Sequence, residues 1–186
     1  MKPCVIFDLD GTLCDTSADL IAAANAALGH LGRDVALDPG DPGDRATALR
    51  GGRAMLRAGL SRLGAVDEAE IDAGFAPLLD AYGAAICVHT TFLPGAREAN
   101  ARLRADGWAT GICTNKPEGL ARALMRALGA TDEFDSLVGA DTLNRNAANA
   151  LLKTLEEPGE QGLLVLVADR PALLPATVRS RCQTLT

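Results

Sequence analysis

Two aspartates one residue apart, Asp8 and Asp10, follow the short apolar run Cys4–Phe7 and precede Gly11-Thr12. In extended backbone, residues two apart point the same way. The two carboxylates are therefore expected together where the strand ends and Gly11 lets the chain turn. Like charges that close repel, and a cation must relieve them. A hard divalent ion with oxygen ligands, Mg²⁺, is the simplest answer. An aspartate beside Mg²⁺ can attack phosphorus. A second can give a proton to the leaving group and later take one from water. The competing reading, a solvated turn or helix cap, suits a bare D-x-D better than one that ends the run V-I-F-D-L-D-G-T-L at the chain's start.

The elements that must position these acids follow from periodicity. Ser17 can cap a helix to about residue 31, with Leu20, Ile21, Ala24, Ala27, Leu28 and Leu31 on one side. Residues 34–44, rich in Pro, Gly and Asp, read as a loop. Helical spacing resumes over 45–63, interrupted by Gly51-Gly52, and Asp67 with Glu70 resembles a capping box for a helix to about Tyr82. With no alternating strand between Asp15 and Ala85, this stretch reads as a helical insert of about 70 residues. Beyond it, helices and strands alternate. A helix runs from Pro94-Gly95 to about residue 105, followed by a strand over 108–113. A helix starts at Pro117 and is ended by Gly129, and a short strand follows over 136–139. A helix over 146–157 and a buried strand over 163–167, ending at Ala168-Asp169, complete the series. That rhythm predicts a three-layer, Rossmann-like α/β fold whose parallel sheet binds ligands at the carboxyl ends of its strands.

Composition bounds the function. Of 186 residues 48% are apolar, enough for a core, whereas 3% are aromatic, so stacking surfaces for bases are scarce. The net charge of −6 argues against a nucleic-acid wrapper. No apolar run is long enough to span a membrane. The start MKPCVIFDLDG places acids where an export signal needs an apolar run, so a cytoplasmic chain is expected. Five cysteines without a C-x-x-C pair read as reduced, mostly buried thiols. Residues 144–186 carry +1 against −7 for the rest.

Two motifs now carry a resemblance. CVIFDLDGTLCDT, residues 4–16, resembles the first motif of the haloacid dehalogenase superfamily of phosphatases, and ICTNKP, residues 112–117, is similar to its second. T-N-K-P, the helical insert and Phe92-Leu93-Pro94-Gly95 resemble the phosphoglycolate phosphatase group over about residues 1–143. The resemblance implies a phosphatase core of residues 1–15 and 86–143 and a helical cap of residues 16–85 that closes over the site. It implies Asp8 as nucleophile and Asp10 as general acid/base, with Mg²⁺ held by Asp8 and the Asp10 carbonyl. The Thr114 hydroxyl and the backbone N–H groups of Leu9 and Asn115 would serve the phosphoryl oxygens. Lys116 either adds positive charge there or is a solvated lysine at a helix start. Arg53 either meets a substrate carboxylate or is solvated. The implied substrate is a small phosphorylated acid such as phosphoglycolate.

After Gly139–Leu143 the sequence departs from that group, which continues with a Lys-Pro pair and a second acidic strand end. Residues 144–186 instead contain NRNAANALLKTLEEP and RSRC, which resemble the delta-prime subunit of the bacterial DNA polymerase III clamp loader. The expectation is a chimera joined near residues 141–144. A strand over 163–167 would complete the sheet and bring Asp169 toward Asp8 as a further metal acid. Lys153, mid-helix, is expected to face solvent. The alternative reading is a non-catalytic fragment that binds clamp-loader subunits.

Overall fold

A computed structural model of the chain describes residues 3–142. The expected helix over 146–157, the strand over 163–167, Lys153 and Asp169 lie outside the described residues. Among the described residues the sheet has three parallel strands, β1 (Cys4–Phe7), β4 (Ala109–Cys113) and β5 (Ser136–Val138), in the order β1-β4-β5. β4 lies in the middle, with Cys4 opposite Ala109, Phe7 opposite Ile112 and Cys113 opposite Val138. Parallel pairing brings the carboxyl ends of β1 and β4 to the same edge, and with them the residues that follow each strand. Helices α5 (Ala96–Ala105) and α6 (Glu118–Ala127) make the connections that parallel strands require. Ile112, Ala121, Leu124 and Met125 join Leu9, Leu13 and Cys14 in the core beneath that edge.

A two-stranded antiparallel ribbon, β2 (Cys14–Asp15) with β3 (Thr91–Phe92), marks where the chain leaves the sheet and where it returns. Between these strands lie four helices: α1 (Ser17–His30), α2 (Pro42–Ala48), α3 (Gly52–Ser61) and α4 (Glu68–Ala84). Their apolar faces form a separate core of Ile21, Ala24, Leu28, Met55, Leu56, Ile71 and Leu78. Small residues let the helices approach: a Cβ on Gly59 would lie 2.5 Å from Leu28 Cδ1. The return strap is tied to α1 by one buried carboxylate. Asp19 accepts from the N–H groups of Val88, His89 and Thr90 and from the Thr90 hydroxyl, at 2.7–3.1 Å. No helix among the described residues is long and apolar enough to cross a membrane.

Several local expectations change. Thr16, not Ser17, occupies the cap position of α1 and makes no side-chain cap, because its hydroxyl donates to Asp10 at 2.7 Å; the Ser17 hydroxyl donates to Asp15 at 2.6 Å. The loop expected over 34–44 ends early. Asp41 accepts from the Asp44 N–H at 2.9 Å, and Pro42 in the first turn starts α2 there. Glu70 pairs with Arg33 instead of closing a capping box, and Asp67 accepts from the Ala69 N–H at 2.9 Å. The ribbon strands were not expected, since two residues carry no readable alternation. β1 is less enclosed than a fully buried strand: among its four residues only Val5 is buried. Of the thiols among the described residues only Cys14 is fully buried, Cys87 and Cys113 are half-buried, and Cys4 is exposed.

Candidate active site

The turn after β1 is fixed from below. Leu9 is fully buried, and its carbonyl accepts from the N–H groups of Leu13 and Cys14 at 3.1 and 3.0 Å. Gly11 takes the left-handed conformation at φ 75° and donates its N–H to the Cys14 carbonyl at 2.8 Å. This buried side chain and tight turn hold Asp8 and Asp10 at the sheet edge. Asp8 Oδ1 accepts from the Leu9 N–H at 2.7 Å, and the Thr114 hydroxyl also bonds its carboxyl. The Leu9 N–H, expected to serve phosphoryl oxygens, is thus engaged by Asp8 itself.

The loop after β4 supplies the partners. The Thr114 N–H donates to the Val138 carbonyl at 3.1 Å, and Thr114 Oγ1 accepts from the Lys116 N–H at 3.2 Å. The Lys116 carbonyl in turn accepts from the Ala140 N–H at 3.0 Å. Gly139 is required where the β5 exit crosses α6, because a Cβ there would sit 2.4 Å from the Glu118 backbone. Asp141 then accepts from the Glu118 N–H at 2.7 Å, one of the free donors at the start of α6.

Lys116 is buried, with 4% of its side chain exposed, which excludes the solvated reading. Its Nζ lies 3.3 Å from Asp10 Oδ1 and 4.1 Å from the centre of the Tyr82 ring. The same Asp10 oxygen accepts from the Thr16 hydroxyl at 2.7 Å. Burial lowers the affinity of Lys116 for its proton, and the charges of Asp10 and Asp8 pull the other way without fully restoring it. Asp8 keeps an edge open to solvent, yet the protein around it strips enough water to raise its carboxyl above the usual range. The Asp10 charge adds to that rise, while the Leu9 N–H, Thr114 and Lys116 oppose it.

A cavity of about 220 Å³ lies between this edge and the four helices. Asp10, Asn115 and Lys116 line one wall, and Arg50, Gly51, Arg53 and Tyr82 line the other. Arg53 is only half available: its guanidinium lies 5.3 Å over the Phe75 ring and pairs with Asp72. Arg50, which the sequence analysis did not single out, makes no ion pair among the described residues. Tyr82 and Thr16 were also missed. An aromatic on an apolar helix face and a Thr next to a helix start look structural until the two halves are brought together.

The donor set fits Mg²⁺. Asp8 and Asp10 offer oxygen ligands only, and Mg²⁺ takes one or two carboxylates and retains water for the remaining positions. Burial first, and the neighbouring Asp10 charge after it, raise the Asp8 carboxyl, and a bound cation would oppose both. Among the described residues no third His, Cys, Asp or Glu joins them.

Curated phosphoglycolate phosphatases are similar in sequence. The protein from Mesorhizobium japonicum is 39% identical over 142 residues, covering 76% of this chain and 61% of its own. That from Rhodospirillum rubrum is 35% identical over 179 residues, covering 89% and 71%. The chain thus spans less than two thirds of the first of these relatives. Solved structures share the fold. A haloacid dehalogenase-like family protein from Streptococcus pneumoniae superposes with a TM-score of 0.63 at 20% identity, over 90% of this chain and 77% of that one. CbbY from Rhodobacter sphaeroides, solved with xylulose-(1,5)-bisphosphate, superposes with a TM-score of 0.60 at 21% identity, over 88% and 77%. The clamp-loader resemblance of residues 144–186 rests on the quoted motifs alone and lies outside the described residues. The sequence model for haloacid dehalogenase-like hydrolases matches residues 2–167, past the junction expected near 141–144. With strand-end acids, Thr114 and a cavity beneath inserted helices all in place, the chain belongs to the haloacid dehalogenase-like hydrolase family.

Proposed function

We propose that this chain is a Mg²⁺-dependent phosphomonoester hydrolase acting on a small phosphorylated acid such as phosphoglycolate, through an aspartyl-phosphate. One observation carries the reading: Asp8 and Asp10 share a sheet edge with Thr114 and a buried Lys116, and Asp10 and Lys116 line a cavity roofed by the inserted helices. A cavity of this size suits a substrate smaller than the drug-sized ligands of larger pockets.

Asp8 attacks phosphorus, the ester P–O bond breaks, and Asp10, once protonated, gives its proton to the departing alkoxide. Water then attacks the aspartyl-phosphate, Asp10 takes the proton from that water, and Asp8 is released with inorganic phosphate. Thr114 and the Asn115 N–H offer donors to the equatorial oxygens, and Lys116 offsets charge as the phosphoryl group moves. Mg²⁺ bound to Asp8 and the Asp10 carbonyl would neutralise the acids and the phosphoryl oxygens. The substrate carboxylate is assigned to the opposite wall, with unpaired Arg50 a stronger partner than Arg53. Residues 1–15 and 86–143 form the core and 16–85 the cap that excludes water. Phosphate release from phosphoglycolate with Mg²⁺, by wild type and Asp8→Asn, tests the reading. Equal rates would refute it.

A further inference from the structure

Lys116 is one of three lysines in a chain with fifteen arginines, and it is the only lysine among residues 3–142. Several arginines of the insert pair with partly exposed acids, such as Arg33 with Glu70 and Arg57 with Glu68. Lys116 differs from them. It is buried, it faces Asp10, and its remaining side is closed by the ring of Tyr82.

Tyr82 is itself 1% exposed, and its hydroxyl has no hydrogen-bond partner among the described residues. Such a hydroxyl adds nothing to stability and carries a desolvation penalty. The contact that does favour an aromatic here is the ring face, 4.1 Å from the ammonium. A cation over an aromatic face is attracted by the ring quadrupole, and the attraction grows as water is removed. Tyr82 belongs to α4 in the helical insert, whereas Lys116 follows β4 in the sheet. The contact therefore crosses from one unit to the other.

We propose that Tyr82 is a positioning residue: its ring, supplied by the inserted helices, holds the Lys116 ammonium against Asp10. The inference rests on the phosphatase reading for its catalytic consequence but not for its structural one. With the ring in place, the ammonium has one low-energy seat. Without it, the flexible lysine stem can swing into the cavity, and Asp10 loses its only ion-pair partner among the described residues.

Two readouts on the full chain test this. The first is acylation of Lys116 by an amine-reactive ester, followed by mass spectrometry of the peptide carrying residue 116. Tyr82→Leu is expected to speed labelling about tenfold, as befits loss of a desolvated ring contact. Tyr82→Phe and Tyr82→Trp, which keep a ring, are expected to protect Lys116 as wild type does. Should Tyr82→Leu fail to fold, these two still decide: rapid labelling in a folded Tyr82→Phe overturns the proposal. The second readout is kcat with phosphoglycolate. Tyr82→Leu is expected to lower it about tenfold with KM little changed, and Tyr82→Phe to recover most of that loss. In a Lys116→Met background Tyr82→Leu is expected to add no further loss. Wild-type labelling rates in Tyr82→Leu, or an equal kcat loss with Lys116 already removed, would overturn it. If the wild-type chain releases no phosphate, the phosphatase reading fails, and the labelling arm still decides whether Tyr82 holds Lys116.

Discussion

Asp19 and the pair Asp8–Asp10 lie within a dozen residues of each other, yet the fold treats these carboxylates in opposite ways. Asp19 is buried where the strap over residues 88–90 meets α1, and three N–H groups and a hydroxyl converge on it. Its lone pairs are occupied, and it serves as a structural rivet. Asp8 receives one N–H and one hydroxyl, and crowding by Asp10 helps raise its carboxyl above the usual range. A carboxylate surrounded by donors is fixed in place. One with few donors and a like charge beside it keeps free-energy reasons to bind a cation or react.

The sharpest way to break the contrast is to remove each carboxylate in turn. Asp8→Asn is expected to lower phosphate release by about a thousandfold or more while leaving the fold intact, since it deletes the attacking group itself. Unfolding curves and kcat measured on the same preparation check both halves. Asp19→Ala is expected to do the reverse. It leaves four donors facing a void and should cost about 3 kcal/mol of stability, read as a lower urea midpoint.

Asp44 sharpens the comparison by adding pH. Burial alone would raise its carboxyl, but hydrogen bonds from Arg62 and from the Asp38 N–H outweigh that and hold it below its ordinary 3.8. A folded-state value below the unfolded one means that the group's stabilisation is fully present above the unfolded value. It is lost as pH falls through the folded value. Asp44→Asn should therefore cost about 1 kcal/mol at neutral pH, because Arg62 is partly solvated. The gap to wild type should persist to about pH 5 and close below about pH 4. A gap independent of pH would show that the charge of Asp44 contributes nothing.

The smallest effects belong to the cavity rim. Arg53→Ala breaks an exposed pair with Asp72 and a partly solvated contact with the Phe75 ring, and should change stability by less than about 1 kcal/mol. Arg50→Ala should raise KM for phosphoglycolate about fivefold, and more than Arg53→Ala does, on the scale of one exposed charge contact. A larger KM effect from Arg53 would reverse their assigned roles.

The primary sequence was enough for the α/β rhythm, the helical insert and the acids after the first strand, because each rests on local signals. Apolar period, Gly-bounded turns and a D-x-D ending an apolar run need no distant partner. The same signals failed at short range where a side chain chose a nonlocal partner. Glu70 took Arg33, 37 residues away, over the Asp67 cap. The ribbon of β2 and β3 was invisible because its pairing joins residues nearly eighty positions apart.

Lys116 shows what only the tertiary structure decided. From the sequence it could add positive charge near the substrate or be a solvated lysine, since a lysine at a helix start looks alike in both. Packing α4 against the β4 exit closed the question, placing Tyr82 on one side of the ammonium and Asp10 on the other. Tyr82, Thr16 and Arg50 joined the site for the same reason. Their chemistry depends on which surfaces meet, and that is set by burying two apolar cores on either side of a shared edge. Residue types and spacing determined that this chain could place two acids at a strand end. The folded arrangement decided which cation and which cavity those acids would face.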